Sequence, residues 1–408
     1  MNITEELYTP VRYTCDVLVV GGGVAGIASA LSAAREGKSV MLIERSFMLG
    51  GLATAGLITI YLPICDGYGH QVCYGIAEEL LKLSISIEKP MTRGMVNWVL
   101  NNDSELRNEN TPRYQVDFNP YLFAISAEQL LIKEGVHILY GTTAVACTMD
   151  DATIDTVIVE NKSGRSAIRA KAFIDASGDA DLAEMAHAPT RLFKQGNILA
   201  AWYYSNRDGL FTRNQLGACD VPDEDKKVGA PEVVKLSERR YTGIDAEEIS
   251  EFVIDSHASL LNRVKQERQL DASIVPTSIA TLPQFRMTRC LDGEYALSSD
   301  EMHKSFDDSV GLIPDWRKRG PVYEVPCRIL YSEKITNLIC AGRNVSVTDG
   351  MWDIIRVIPC CAVTGEAAGI AASFGQEFNN IDVSEIQRIL RSRGVLIHNS
   401  ELNLSLPL

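Results

Sequence analysis

The 408-residue chain is short of positive charge: 39 Lys and Arg stand against 53 Asp and Glu, a formal net charge of −14. That excess repels nucleic acid and anionic membrane surfaces, so neither is an expected partner. No run of about 18 apolar residues is free of charge, the length a membrane-spanning helix needs. The nearest, Val357 to Phe374, carries Glu366 and reads as a packed helix. The opening MNITEELYTP holds two acids and no apolar stretch behind a basic one, which is unlike a secretory leader. The ten cysteines include no C-x-x-C, and no cluster has zinc-ligand spacing. There is no G-x-S-x-G either, so disulfide-framework, metal and serine-hydrolase readings lack support. Reduced thiols in a cytoplasmic protein are the expectation. There is no internal repeat and no low-complexity tract. What is present, 46% hydrophobic and 23% charged residues, is ordinary globular usage with ample material for a large core. The length suggests two or three structural units, or one composite domain.

Cys15 to Val20 reads as a buried strand, Gly21-Gly22-Gly23 as a turn and Val24 to Glu36 as a small-residue helix stopped by Gly37. Val40 to Glu44 is a second buried strand, which completes a right-handed β-α-β unit. Residues 50–75 are rich in Gly, Tyr and Pro, and 85–115 are polar and weakly patterned. Helices are expected at Ile76–Ser84 and Pro120–Gly135, and a strand at Val136–Tyr140. Val145 to Glu160 alternates about a turn at Asp150-Asp151, as a β-hairpin does. Ala170–Ala176 is a further buried strand ending at Ser177-Gly178-Asp179. Near the end come a strand at Leu338–Ala341, a turn at Gly342-Arg343 and a helix at Pro359–Phe374. Residues 189–285 differ in character. They hold a polar stretch at 220–229, read as a surface loop, and an amphipathic helix near 245–270 with Asp245 as its N-cap.

Gly21-x-Gly23-x-x-Gly26 lies between strand and helix, and Glu44 ends the next strand 18 positions after Gly26. Each residue has a task in holding a dinucleotide. Gly21 permits the tight turn, Gly23 lets backbone N–H groups approach a pyrophosphate, and Gly26 lets helix and strand pack closely. The helix N-terminus favours phosphate charge, and Glu44 accepts ribose hydroxyls. Three further features point to FAD rather than NAD: the second Gly-rich loop Gly50-Gly51-Leu52-Ala53-Thr54, the turn at Ser177-Gly178-Asp179, and the late turn at Gly342-Arg343. A long cofactor needs contacts from distant parts of a chain. No second G-x-G-x-x-G exists, so no dedicated NAD(P) domain is expected.

At residues 21–45, 50–57, 173–183, 286–293, 337–346 and 356–372 the sequence resembles the FAD-dependent oxidoreductase family of the glutathione-reductase-like superfamily, in particular its bacterial subgroup of that name. The resemblance implies an α/β fold: a Rossmann-like three-layer FAD-binding domain made from both chain ends (1–188 and 286–408), with an inserted α+β substrate or cap domain (189–285). It also implies site roles. Gly21, Gly23, Val24, Ala25 and Gly26 would cradle the pyrophosphate. Glu44 would hold the adenosine ribose, with Arg45 near the adenine and Val145 meeting it by backbone contacts. Gly51, Leu52, Ala53 and Thr54 would touch the flavin side. Ser177, Gly178, Gly342 and Arg343 would approach the cofactor, and Arg356 the flavin or its phosphate. The helix beginning near Pro359 would aim its positive end at the flavin N1–O2 edge.

The expected reaction is hydride transfer between FAD and a small-molecule substrate: an alcohol, hydroxy acid, amine or unsaturated acid. The alternative is a dinucleotide-binding scaffold or a non-redox synthase of the thiazole-synthase type. The electron acceptor is not specified by any motif. His70, in a Gly-rich loop, is a candidate for proton transfer, with a surface or hydrogen-bonding role as its alternative. Arg286 and Arg289 are close enough to clamp a carboxylate, or to pair with Asp292. Trp352 is either a stacking residue or a core tryptophan. Cys65 with Cys73 is a possible redox pair, and the adjacent Cys360-Cys361 reads as packing at a helix start.

Overall fold

The computed structural model describes residues 3–87, 116–217, 236–375 and 377–402. Strand β1 (Val11–Val20), helix α1 (Val24–Arg35) and strand β2 (Val40–Ile43) form the expected parallel unit, with Val17 opposite Val40 and Val20 opposite Ile43. β2 continues the sheet outward to His137–Leu139, again in parallel. On the other edge of β1 runs a long strand, Gly164–Asp175. Its first half pairs antiparallel with Thr153–Asn161 of the hairpin, and its second half pairs in parallel with Leu338–Cys340. The seven-stranded sheet is therefore closed by residues from both ends of the chain.

Val17–Val20, β2 and Leu338–Cys340 are covered on both faces and read as continuous apolar runs. Side chains alternate between the faces. Val17, Val19, Val40 and Leu42 meet α1 and the core helix Ile358–Phe374. Leu18, Val20, Met41 and Ile43 meet Ile154 and Val157 of the hairpin, with Phe173 and the helix Asp181–Met185. Helices, sheet and hairpin make three layers.

The core helix is apolar all round because it is buried all round: residues 358–373 are inside. That accounts for its apolar run. Among the described residues no single helix is long and apolar enough to cross a membrane. The helix lies directly on α1. A Cβ at Gly365 would overlap the Ala25 carbonyl oxygen, and one at Gly369 the Ser29 carbonyl oxygen. The Ser32 hydroxyl donates to the Glu366 carbonyl at 2.9 Å. The Glu366 carboxylate, nearly fully buried, accepts from the Ile76 N–H at 2.8 Å and from Arg393 at 3.3 Å.

Within 189–285, Ala201–Arg207 is the middle strand of a three-stranded antiparallel sheet with Leu210–Leu216 and Val275–Ile279. Asp208 and Gly209 turn the hairpin with φ of 51° and 86°, as a two-residue mirror-image turn requires. Helix Ala246–Leu270 is capped by Asp245, whose side chain accepts from the Glu248 N–H at 2.9 Å. It packs Val264 on Ala201, Tyr203 and Leu216. Thr190–Leu192 pairs with Arg289–Leu291, so the chain leaves and returns at one place.

Some boundaries differ from expectation. The third buried strand starts at Gly164 rather than Ala170, because the hairpin partner lengthens it. A separate short helix, Asp349–Ile355, precedes the core helix. The polar stretch 220–229, and 88–115 of the weakly patterned region, lie outside the described residues.

Gly365→Val forces the two helix backbones apart. It is expected to destabilise the protein by about 3 kcal/mol, in the range for overpacking a closed core. Urea denaturation followed by circular dichroism measures this, and a loss under about 0.5 kcal/mol would show that the helices tolerate separation. Burial raises the Glu366 carboxyl above its usual 4.5. A carboxyl raised in the folded state contributes most below 4.5 and loses that contribution as pH climbs through its folded value. Glu366→Gln should remove this part of the stability decline with rising pH; an unchanged slope would contradict it.

Candidate cofactor and active site

Four parallel strands end at one crevice, where open α/β sheets place their ligands. The crevice opens into a cavity of about 590 Å³. Gly21, Gly23, Val24 and Ala25 line it after β1, and Glu44 and Arg45 after β2. Ser177 and Gly178 follow the long strand, and Gly342 and Arg343 follow Leu338–Cys340. The opposite wall comes from 202–289 and includes Trp202, Gln215, Ile244, Phe285, Arg286 and Arg289.

The three motif glycines do different things. Gly21 has φ +105° and makes the turn. Gly26 does not line the cavity; a Cβ there would overlap the Gly21 carbonyl oxygen, so it serves strand–helix packing. Gly23, the N-cap of α1, has nothing within 4 Å of where a Cβ would sit. No side chain caps α1, so its first-turn N–H groups face open space, as an anion site needs.

Glu44 is buried and held on both oxygens. Oε2 accepts from the Gly22 N–H at 2.7 Å, and Oε1 from the Ser46 N–H and hydroxyl, each at 2.8 Å. Its remaining lone pairs suit a ribose diol. The Gly50 N–H donates to the Gly22 carbonyl at 2.8 Å, which lays the second loop against the first. Gly51, Leu52 and Ala53 thereby enter the wall. Thr54 does not: it is buried, and its hydroxyl donates to the Leu49 carbonyl at 2.5 Å, fastening the loop from behind.

Two other expected contacts sit differently. Val145 is exposed and off the cavity, which is met instead by Thr142, Thr143 and Ala144. The space over Gly178 is filled by the Arg343 guanidinium, 2.7 Å from where a Cβ would be. Gly178 thus admits Arg343, which pairs with Asp179 at 2.9 Å and donates to the Arg286 carbonyl at 3.2 Å. Gly342 lets its turn close on Ala25, whose Cβ lies 2.7 Å from where a Gly342 Cβ would be.

The core helix presents its N-terminus here through Val357, Ile358 and Cys361, again with no capping side chain. Arg356 lines the cavity beside it and is ion-paired with the fully buried Asp353. Trp352 is a core residue: it is fully buried, and its indole N–H donates to the Arg343 carbonyl at 2.6 Å. The cavity tryptophans are Trp202 and Trp316, which belong to no motif and left no signal beyond their residue type.

Arg286 and Arg289 both reach the cavity but are not equivalent. Arg289 is engaged by Glu184 at 3.2 Å and Asp181 at 3.6 Å rather than by Asp292. Partial burial, with Asp179 and Asp175 close by, pushes Asp181 up to about 6 against the pull of Arg289 and Arg45. Arg286 is almost fully buried and donates to Gln284 Oε1 at 3.3 Å. His70 does not line the cavity; its Nδ1 is 2.7 Å from Asp66 Oδ2. No disulfide joins Cys65 to Cys73 or Cys360 to Cys361. Burial pushes the Cys73 thiol up, and Cys361 up to about 12, so neither is poised as a thiolate.

A model of the FAD dependent oxidoreductase family matches residues 16–201 and 235–390, and the chain belongs to that family. Over 72 residues it is 35% identical to a thioredoxin reductase of Ureaplasma parvum, 18% of this chain and 23% of that one. Over 172 residues it is 29% identical to the probable electron transfer flavoprotein-quinone oxidoreductase YgcN of Escherichia coli (strain K12), 40% of this chain and 36% of that one. The match thus spans well under half the length of either relative. A geranylgeranyl bacteriochlorophyll reductase-like protein from Thermoplasma acidophilum superposes with a TM-score of 0.48 at 12% identity, over 93% of this chain and 84% of that one. For p-nitrophenol 4-monooxygenase PnpA from Pseudomonas putida DLL-E4 the TM-score is 0.45 at 14% identity, over 93% and 82%.

The glycine geometry separates cofactor contact from packing. Gly23→Ala should leave the melting temperature of the flavin-free protein unchanged while lowering FAD content in the purified protein severalfold. Gly26→Ala should lower both. Equal effects of the two substitutions on the flavin-free fold would contradict this division.

Proposed function

We propose that this family member transfers hydride between bound FAD and a small organic substrate seated against segment 189–285. One observation carries the reading: a single cavity joins a dinucleotide-type wall, made of four strand ends, to a second wall from that segment. FAD, when bound, supplies a two-electron acceptor or donor.

The chain's residues supply position and charge. Glu44 would hold the adenosine ribose, with Arg45 on the adenine side. The free N–H groups at the start of α1 take the pyrophosphate, and Arg343, braced by Asp179, adds positive charge near it. Leu52 and Ala53 would hold the flavin ring. The uncapped N-terminus at Ile358–Cys361, flanked by Arg356, would hold the pyrimidine edge of the flavin and supply positive potential there. Alcohols, hydroxy acids, amines and unsaturated acids remain the substrate candidates. With no second dinucleotide motif in the sequence, electrons pass to or from a separate acceptor. The name of the E. coli relative agrees with that arrangement.

An absorbance spectrum of the purified protein, taken before and after acid precipitation, tests the cofactor. The expected result is flavin bands that acid releases into the supernatant. Anaerobic bleaching by members of a panel of the four substrate classes then tests the reaction. A colourless protein that takes up no added FAD would overturn the reading.

A further inference from the structure

Three of the cavity's arginines already have carboxylate partners: Arg289 with Glu184 and Asp181, Arg343 with Asp179, and Arg356 with Asp353. Arg286 has none among the described residues. Its side chain is almost fully buried, and the polar contact of its guanidinium is a neutral one, Gln284 Oε1 at 3.3 Å. Burying a guanidinium without a counter-anion is costly, and a ligand that supplies the anion removes the cost.

The position of Arg286 is built rather than incidental. Asn197, fully buried, accepts from the backbone N–H groups of Arg286 and Met287 at 3.1 and 3.3 Å. It also donates to the Met287 carbonyl at 2.6 Å. The guanidinium lies 5.7 Å from the ring centre of Trp202. Trp202 is 4% exposed, lines the cavity, and its indole N–H has no hydrogen-bond partner among the described residues. Arg213 also sits over that ring, at 5.0 Å, but is already paired with Asp117. One buried cation without an anion therefore stands in a wall to which Ile244, Ile249, Leu282 and Phe285 add apolar surface.

We infer that the substrate is a monocarboxylate with an apolar body, its carboxylate bound by Arg286. This rests on the flavoenzyme reading above. One guanidinium matches a single negative charge; a phosphate dianion would be left under-compensated. The cofactor pyrophosphate is the other possible source of an anion. Arg343, beside Gly178 and Gly342, is the arginine placed for it, whereas Arg286 stands among the residues of the opposite wall.

Titration of the FAD-loaded protein with phenylacetate, 2-phenylethanol and inorganic phosphate, read by perturbation of the flavin spectrum, tests the inference. Isothermal calorimetry on flavin-free protein runs in parallel. Phenylacetate should bind at least tenfold tighter than either comparison ligand. Arg286→Gln should weaken phenylacetate binding about tenfold to a hundredfold with FAD content unchanged, and Arg286→Lys should recover part of the loss. Unchanged phenylacetate affinity in Arg286→Gln would overturn the inference, as would equal binding of the alcohol. Loss of FAD from both Arg286 variants would instead make Arg286 a cofactor residue, also overturning it. A wild-type protein that never binds FAD would overturn the flavoenzyme reading alone, because calorimetry still reports on the carboxylate.

Discussion

Gly365 and Gly369 bring the backbone of the core helix onto the backbone of α1, with no side chain between them at Ala25 and Ser29. The rest of the site depends on that contact. Because the helices cannot separate, their N-termini are held at one end of the same layer. Neither terminus is capped by a side chain, and both open onto the same cavity. Two sets of orphan N–H groups and two positive helix ends therefore converge on one volume. Gly342 belongs to the same constraint, since its turn closes directly on Ala25. A long, charge-rich cofactor suits this arrangement, because its phosphates and its reduced ring both need positive potential.

Charge is matched around the cavity almost residue by residue. Glu44 is held by three donors, Arg343 is braced by Asp179, and Arg289 is shared between Asp181 and Glu184. Such pairs hold a guanidinium in place against its own side-chain entropy and prevent it from collapsing onto a ligand phosphate in the wrong place. Against that background a buried arginine left without an anion stands out, since Arg45, the other cavity arginine without a carboxylate partner among the described residues, is exposed. The Arg343–Arg286 carbonyl hydrogen bond, at 3.2 Å, ties the two walls together.

The elements readable from the sequence were those specified by short-range pattern. The strand–glycine–helix–strand–acid order from Cys15 to Glu44 predicts the β-α-β unit, because each part answers a local steric or polar need. The apolar runs at 170–176 and 338–341 read as buried strands for the same reason, and Asp245 announced its helix. What was not legible depends on partners distant in sequence. The extra length of Gly164–Asp175 comes from its hairpin neighbour. Gly178 looks like a cofactor contact by type, yet the space above it belongs to Arg343, 165 positions away. Val145 follows directly on Thr142, Thr143 and Ala144, which meet the cavity, and only the folded strand shows where that contact stops. Trp202 and Asn197 carry no motif at all; only the folded chain brings them to Arg286.

The most direct test of the convergence is a crystal structure of the protein loaded with FAD. The account predicts the pyrophosphate within hydrogen-bond reach of the first-turn N–H groups of α1, and the ribose hydroxyls on Glu44. The pyrimidine edge of the flavin ring should lie against the N-terminus at Ile358–Cys361. A cofactor bound in the reverse sense, with its adenine at the core helix, or bound away from the two helix ends, would contradict it.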